Sequence, residues 1–260
     1  MSNFQSVLFE IQNGIAIITL NEPNSLNALS KSIKEQFLDS FSLAENNPEV
    51  KVIVITGTGK AFSAGGDIKG MSERTVIESV ETMQNTTQII TTIANSKKIT
   101  ISAVNGYAMG AGFSLALATD LIYANTQAKF GLSFTKIGLV PDCGLHHFLP
   151  RIVGPWKAKE LILRAQVLTA EEAKSYLIVN EIYEPDTLLE NVLEIAAELS
   201  NSASQALTLS KSIINQQENA ELPGIIHYEN LTQSILQQTA DYKEGVSAFK
   251  EKRASNFIGK

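Results

Sequence analysis

Cysteine and histidine are scarce in this chain, which has one cysteine and three histidines among 260 residues. Cys143 has no second cysteine with which to form an internal disulfide. Two of the histidines, His146 and His147, are adjacent, and the three together lack the spacing that is typical of a metal site. We therefore expect neither a disulfide framework nor a bound metal.

Clusters of positive charge and long apolar runs are also missing. The net charge is −6, and no group of lysines and arginines is interleaved with aromatic residues, which argues against a general nucleic-acid-binding surface. No apolar run reaches membrane-spanning length, and the first five residues, MSNFQ, lack the basic and apolar segments of a secretion signal. We expect a cytoplasmic protein without a nucleic-acid or membrane partner.

What the chain does contain is typical of a soluble α/β protein. Hydrophobic residues make up 44% and charged residues 18% of the 260 positions. A chain of this length buries a substantial core, so the composition predicts one domain or one domain with an appendage.

Two similar units of strand, glycine-rich segment and helix dominate the pattern. Apolar β-branched runs at 52–56 (VIVIT) and 99–104 (ITISAV) indicate strands that are buried on both faces. Each is followed by a run of small residues, at 61–67 (AFSAGGD) and 105–112 (NGYAMGAG), and a helical pattern covers 111–118.

These segments combine two properties that suit them to bind an oxygen atom. Glycine and alanine let a ligand approach the main chain, and the first N–H groups of a helix have no partner inside it. The segments could bind an oxygen that becomes negative during a reaction, or they could simply be tight strand-to-helix connections.

The remaining N-terminal half alternates strands and helices. Strands at 7–10 and 15–20 flank Asn13-Gly14, a strong hairpin signal. Helical spacing of apolar residues predicts helices over 30–44, with Ser30 as N-cap, and over 76–93. Strand, helix and strand in succession imply a parallel sheet and a repeated, spiralling architecture.

The C-terminal region differs in character. Apolar stripes at 203–214 and 225–236 predict helices, and Leu222-Pro223-Gly224 is expected to separate them. We therefore divide the chain into a core at 1–200 and a helical C-terminal region at 201–260.

Three segments fall in the order and spacing of a known family. Residues 21–29 (NEPNSLNAL), 61–68 (AFSAGGDI) and 105–112 resemble the crotonase superfamily, also called the enoyl-CoA hydratase/isomerase family, and the likeness extends from about Val7 to Arg253. It implies a crotonase-like ββα spiral core with a helical C-terminal region. It also implies an acyl-CoA thioester substrate, no cofactor beyond the coenzyme A of that substrate, and a homotrimer or hexamer whose contacts involve 201–260.

The resemblance also assigns site residues. It places the two oxyanion-binding N–H groups at Ala64 and Ala111, and it gives Asp67 and Asp120 structural roles. It implies that substrate and coenzyme A bind at Leu26, Ala28, Ala64, Gly65, Gly66, Asp67, Ile68, Tyr107, Phe134, Phe249 and Lys252. Tyr107 could equally serve core packing, and Phe249 and Lys252 could equally be a helix anchor and an exposed cation.

The chain departs from the family at two positions. Hydratases of the family carry two glutamates where this sequence has Ser114 and Phe134. Addition of water needs groups that deprotonate the water and protonate carbon, and neither replacement transfers protons as a carboxylate does. Ordinary hydration is therefore disfavoured.

Asp142 is the candidate for the missing acid and base. Segment 130–144 is similar to that of a family member, the isomerase of phenylacetate breakdown, which by this resemblance uses an aspartate there. We expect Val140, Leu145 and Phe134 to desolvate the Asp142 carboxylate and raise its pKa. The alternative is that Asp142 only caps a turn after proline.

One carboxylate is enough for a 1,3-proton shift, so the sequence favours an enoyl-CoA double-bond isomerase. Hydration, decarboxylation or thioester hydrolysis at the same site stay open, as does an acyl-CoA-binding scaffold without activity. Cys143 beside Asp142 could be a nucleophile, although a lone buried cysteine is more often a packing residue.

Overall fold

The structure is a computed structural model that describes residues 5–67, 75–216 and 221–260. Within these residues the chain folds into ten strands and nine α-helices. The strands are β1 Val7–Gln12, β2 Ile15–Leu20, β3 Val52–Gly57, β4 Ala61–Ser63, β5 Ile99–Val104, β6 Tyr107–Met109, β7 Leu121–Asn125, β8 Lys129–Gly131, β9 Val167–Thr169 and β10 Glu181–Tyr183. The helices are α1 Lys31–Asn46, α2 Val76–Ala94, α3 Ala111–Leu117, α4 Leu145–Leu163, α5 Ala170–Ser175, α6 Leu188–Ser200, α7 Ser204–Gln216, α8 Leu222–Leu236 and α9 Ala240–Glu251.

The strands form two sheets. The larger has the order β1-β2-β3-β5-β7-β10, in which β1 and β2 are antiparallel and the other neighbours are parallel. The smaller has the order β4-β6-β8-β9. Each repeating unit contributes one strand to each sheet before a helix begins, as in β3-β4-α2 and β5-β6-α3. The predicted ββα spiral is confirmed.

Both faces of the large sheet are covered, which explains its apolar strands. On one face, Ile53 and Ile55 pack in a hydrophobic cluster with the buried side of α1. The other face packs Val52 and Val54 against α6. A parallel strand covered on both faces has no side on which polar residues are favoured.

Local sequence signals account for several element boundaries. The predicted Asn13-Gly14 hairpin is confirmed, with β1 and β2 paired from Val7–Leu20 to Gln12–Ile15. The Ser30 hydroxyl accepts a hydrogen bond from the Ile33 N–H at 3.1 Å, so the predicted N-cap of α1 is also confirmed. Such a cap satisfies one of the N–H groups that the first turn leaves unpaired.

Two details differ from the sequence-based predictions. The glycine-rich segments are not only turns, because each contains a three-residue strand of the small sheet. Leu222-Pro223-Gly224 does not separate helices but forms the first turn of α8. Proline is compatible with that position because the N–H that it lacks has no partner in a first turn.

The C-terminal region is helical, as predicted, and α7 contacts the core through polar groups. The Lys211 ammonium lies 2.7 Å from an oxygen of Asp120 and donates to the Lys98 carbonyl at 2.9 Å. Asp120 also accepts hydrogen bonds from the N–H and hydroxyl of Thr100. The geometry agrees with a structural role for Asp120, whereas the division at residue 200 stays a prediction.

Candidate active site

The two glycine-rich segments lie in direct backbone contact. A Cβ atom on Gly65 would stand 2.4 Å from the Met109 carbonyl oxygen and 3.0 Å from the Ala111 nitrogen. A Cβ on Gly112 would stand 2.3 Å from the Ser63 carbonyl oxygen. Only residues without a side chain permit this approach, so the glycines bring β4 and the start of α3 together.

The predicted role of Ala64 as an oxyanion donor is wrong in this structure. Its N–H donates to the Leu26 carbonyl at 2.8 Å. The next N–H, that of Gly65, donates to the Ser63 hydroxyl at 3.2 Å. Neither N–H is available to a substrate oxygen, although Ala64 itself lines the neighbouring cavity.

Gly66 is the candidate oxyanion donor in place of Ala64, to which the resemblance had assigned that role. Gly66 forms an isolated parallel bridge with Leu29, in which the Leu29 N–H donates to the Gly65 carbonyl at 2.7 Å. Within the described residues, no acceptor is found for the N–H of Gly66 or of Ala111, and both residues line the same cavity. The Leu26–Ala64 pairing joins distant segments, so local sequence did not reveal which N–H is free.

The cavity has a volume of about 600 Å³ and lies between α1, α2, the glycine-rich segments and residues 134–142. The Phe134 ring borders Gly110, where a Cβ would lie 3.5 Å from it. Polar side chains of Lys34, Glu35 and Thr86 line another part of the wall. The larger apolar side chains of the lining are Leu29, Leu38, Met83, Phe134, Ile137 and Leu139.

Asp142 lines this cavity from the segment before α4. Its Oδ1 atom is buried and has no hydrogen-bond partner among the described residues. Burial raises the pKa of the Asp142 carboxyl, and a hydrogen bond from the Cys143 thiol opposes this in part. Desolvation disfavours the charged form, as predicted from the sequence.

The predicted source of that desolvation is partly wrong. Leu145 is buried and Phe134 is 8% exposed, but Val140 is 75% exposed and so excludes little water. The turn at Asp142 is closed by its backbone, because the Leu145 N–H donates to the Asp142 carbonyl at 3.1 Å. The alternative role of the side chain as a turn cap therefore does not account for Oδ1.

Ser114 is fully buried in α3, and its hydroxyl donates to the Asp142 carbonyl at 3.1 Å. The structure thus brings together Ser114, Phe134 and Asp142, which the sequence singled out separately. The sequence identified Ser114 only as a missing glutamate, and its contact with Asp142 was not predicted.

Cys143 is a packing residue rather than a nucleophile. It is 2% exposed, and burial together with the neighbouring Asp142 charge raises the pKa of its thiol. A nucleophilic cysteine needs the thiolate, which this environment disfavours.

Several predicted binding residues lie outside this cavity. Tyr107 is 44% exposed and begins β6, at the end of the strand away from Gly110. Phe249 is 86% exposed on α9 and lines a second cavity of about 380 Å³ between C-terminal helices. Ile68 falls outside the described residues. Leu26, Ala28, Gly65, Tyr107, Phe249 and Lys252 are not among the residues that line the Asp142 cavity, so their binding roles stay predictions.

The described residues contain no group of three or more histidine, cysteine, aspartate or glutamate side chains that could hold a metal ion. In the same part of the chain, no helix has the length and apolarity needed to cross a membrane.

Replacing Gly65 with alanine is expected to lower the free energy of unfolding by about 2–5 kcal/mol and to reduce turnover. The Gly65 φ of +89° costs a residue with a Cβ about 1–2 kcal/mol, and the contact with Met109 adds about 1–3 kcal/mol of overpacking. Gly138→Ala is the control, since Gly138 has a φ of +76° but no atom within 4 Å of a Cβ. Chemical denaturation of both variants measures the difference, and equal losses would contradict the contact-based explanation.

The comparisons with known proteins show the family of this chain. The profile of the family described as enoyl-CoA hydratase/isomerase matches residues 10–260. The chain is therefore an enzyme of the enoyl-CoA hydratase/isomerase family.

Relatives within the family carry different reaction names. The chain is 34% identical to a crotonyl-CoA hydratase of Syntrophomonas wolfei, with 99% of each chain covered. It is also 34% identical to a 1,2-epoxyphenylacetyl-CoA isomerase of Escherichia coli, with 98% of each covered. A crystal structure of an enoyl-CoA hydratase from Bacillus anthracis superposes with a TM-score of 0.94 at 29% identity, covering 98% of this chain and 100% of that one. Family membership thus leaves the specific reaction open.

Proposed function

We propose that this protein isomerises the double bond of an enoyl-CoA thioester, with Asp142 as the single acid and base. The observation that carries the proposal is the Oδ1 atom of Asp142, which is buried and unpartnered within the described residues and belongs to a side chain that lines the cavity. A buried polar atom without a partner is costly, and its retention at a cavity fits a group that meets its partner in the substrate.

The proposed reaction moves one proton and no other atom. Asp142 takes a proton from the carbon next to the thioester carbonyl, and the electrons of that C–H bond delocalise as a dienolate whose negative charge rests on the carbonyl oxygen. The protonated Asp142 then returns the proton two carbons further along, and the double bond becomes conjugated with the thioester. Burial raises the pKa of the Asp142 carboxyl, and a carboxylate of raised pKa takes a proton from carbon more readily, which supports the use of Asp142 as the base.

The N–H groups of Gly66 and Ala111 are the proposed donors to the dienolate oxygen. Both residues line the cavity, and neither N–H has an acceptor among the described residues. Donors fixed in place before the charge develops stabilise it without reorganising during the reaction.

Hydration is the second candidate, because relatives named as hydratases match this chain as well as the isomerase does. Against it, Phe134 carries no exchangeable proton and the Ser114 hydroxyl is engaged by the Asp142 carbonyl. A hydratase must both activate water and protonate carbon, which leaves Asp142 to serve both tasks alone.

Turnover of a short 3-enoyl-CoA and of crotonyl-CoA, measured side by side, tests the proposal. We expect the 3-enoyl-CoA to convert to its conjugated isomer without a change in mass, and crotonyl-CoA to gain water only slowly. Chromatography coupled to mass spectrometry separates these products. Fast hydration of crotonyl-CoA would overturn the isomerase assignment, and binding without turnover of either substrate would favour decarboxylation, thioester hydrolysis or a scaffold.

The proposed assembly is a homotrimer or hexamer. Phe249 and Lys252 do not line the Asp142 cavity of their own chain, and the exposed Phe249 ring suits contact with a neighbouring subunit. The cytoplasmic location and the lack of a cofactor beyond coenzyme A likewise stay predictions.

A further inference from the structure

Ser114 lies on the helix that begins at one proposed oxyanion donor and contacts the residue proposed as the base. It lies three residues after Ala111 in α3, whose residues are all buried. Its N–H donates to the Gly110 carbonyl at 3.1 Å, so its backbone is fixed to the start of the same helix. Its hydroxyl donates to the Asp142 carbonyl at 3.1 Å, across a separation of 28 residues.

The segment that carries Asp142 changes from exposed to buried at Pro141, and Pro141, Cys143 and Leu145 are buried around Asp142. Residues 135–140 are exposed, and Cys143 and Gly144 have positive φ values of 53° and 77°. The Asp142 carbonyl accepts one hydrogen bond from within this segment, from the Leu145 N–H, and one from outside it, from Ser114. The hydrogen bond from Ser114 therefore holds the Asp142 backbone to α3, whereas the bond from Leu145 holds it only within its own segment.

We infer that Ser114 is a positioning residue, which holds the Asp142 carboxylate at a fixed place relative to the Ala111 N–H. The inference rests on the proposed function, since it concerns the geometry between the proposed base and one proposed oxyanion donor. The rate of proton transfer depends steeply on the position of the base, and a displacement of about 1 Å lowers such a rate by up to about 100-fold.

Ser114→Ala tests the inference with little disturbance of the fold. Alanine removes one oxygen atom, favours helix, and leaves the Asp142 carbonyl its bond from Leu145. We expect kcat for isomerisation to fall about 10- to 100-fold with KM within twofold, because substrate contacts do not change. Ser114→Thr keeps the hydroxyl and is expected to restore most of the rate.

Ser40→Ala is the matched control. Ser40 is also fully buried in a helix, and its hydroxyl donates to the Gln36 carbonyl at 2.7 Å, but it does not line the cavity. The two alanine variants should lose similar thermal stability, whereas only Ser114→Ala should lose kcat. Equal kcat values in the two variants would overturn the inference.

A double-mutant cycle with Asp142→Asn, measured in single turnovers with enzyme in excess, separates the inference from the proposed function. If Ser114 acts through Asp142, Ser114→Ala should not slow the Asp142→Asn variant further. A further 10-fold loss in that background would overturn the positioning role while the proposed function stands. If Asp142→Asn keeps the wild-type isomerisation rate, the proposed function fails, and the inference fails with it.

Discussion

Replacing Asp142 with asparagine is expected to lower kcat for isomerisation of a 3-enoyl-CoA by about 1000-fold. Asparagine keeps the shape of the side chain but cannot accept and return a proton, and general acid–base catalysis contributes about 100- to 10,000-fold. KM should change little, since the change affects proton transfer rather than the coenzyme A contacts. Steady-state kinetics of the two proteins provide the measurement.

Asp186→Asn is the matched control for this variant. Asp186 is exposed between β10 and α6, so its neutralisation should leave kcat unchanged. Retention of full isomerase activity in Asp142→Asn would show that another group transfers the proton.

The pH dependence of the isomerisation rate should also identify Asp142 as the base. Asp142 acts as a base only when ionised, and burial raises its pKa above the ordinary value of 3.8. The rate of isomerisation should therefore fall with decreasing pH through a value above the ordinary aspartate range.

The raised pKa of Asp142 also affects stability. Between its unfolded and folded pKa values the folded protein binds more protons than the unfolded protein, so ionisation of Asp142 reduces stability as the pH rises through that window. Asp142→Asn should accordingly melt at a higher temperature than the wild type at pH 7.

Removing the N–H of Ala111 is expected to lower kcat about 100- to 1000-fold. Ala111→Pro does this at the first position of α3, where proline is compatible with helix. The loss of one donor to a developing oxyanion has this magnitude in other enzymes. KM should change less than kcat, because the donor matters most when charge develops.

Ala240→Pro is the control, since Ala240 is an exposed alanine at the first position of α9. It should leave kcat unchanged. The Ala111 nitrogen lies 3.0 Å from the place of a Gly65 Cβ, so a proline ring is closely confined there. An ester in place of the Ala111 amide, introduced with the hydroxy acid analogue of alanine, removes the N–H without adding atoms. Wild-type kcat in a folded ester variant would exclude Ala111 as a donor.

Much of the architecture could be predicted because its causes are local. The Asn13-Gly14 hairpin, the Ser30 cap and the apolar β-branched runs each depend on residues near one another in the sequence. The resemblance of segment 130–144 to a family member indicated Asp142, and the structure places this residue on the cavity wall. Its role as acid and base stays a prediction.

The errors share a different origin. Pro223 was expected to lie between two helices, and Val140 was expected to desolvate Asp142, but Pro223 lies in the first turn of α8 and Val140 is 75% exposed. The type of a residue alone indicates neither where a proline lies in a helix nor which apolar side chains face inward. Both depend on where neighbouring elements pack.

The sequence by itself determined the family, the repeated strand and helix units, and the residue types available for chemistry. The tertiary structure decided which of them meet. The Ala64 N–H donates to the Leu26 carbonyl, whereas the Gly66 N–H has no acceptor among the described residues, and the Ser114 hydroxyl donates to the Asp142 carbonyl from 28 residues away. Hydrogen bonds between distant segments form only when the sheets assemble, and each N–H donates to the acceptor that packing places in front of it.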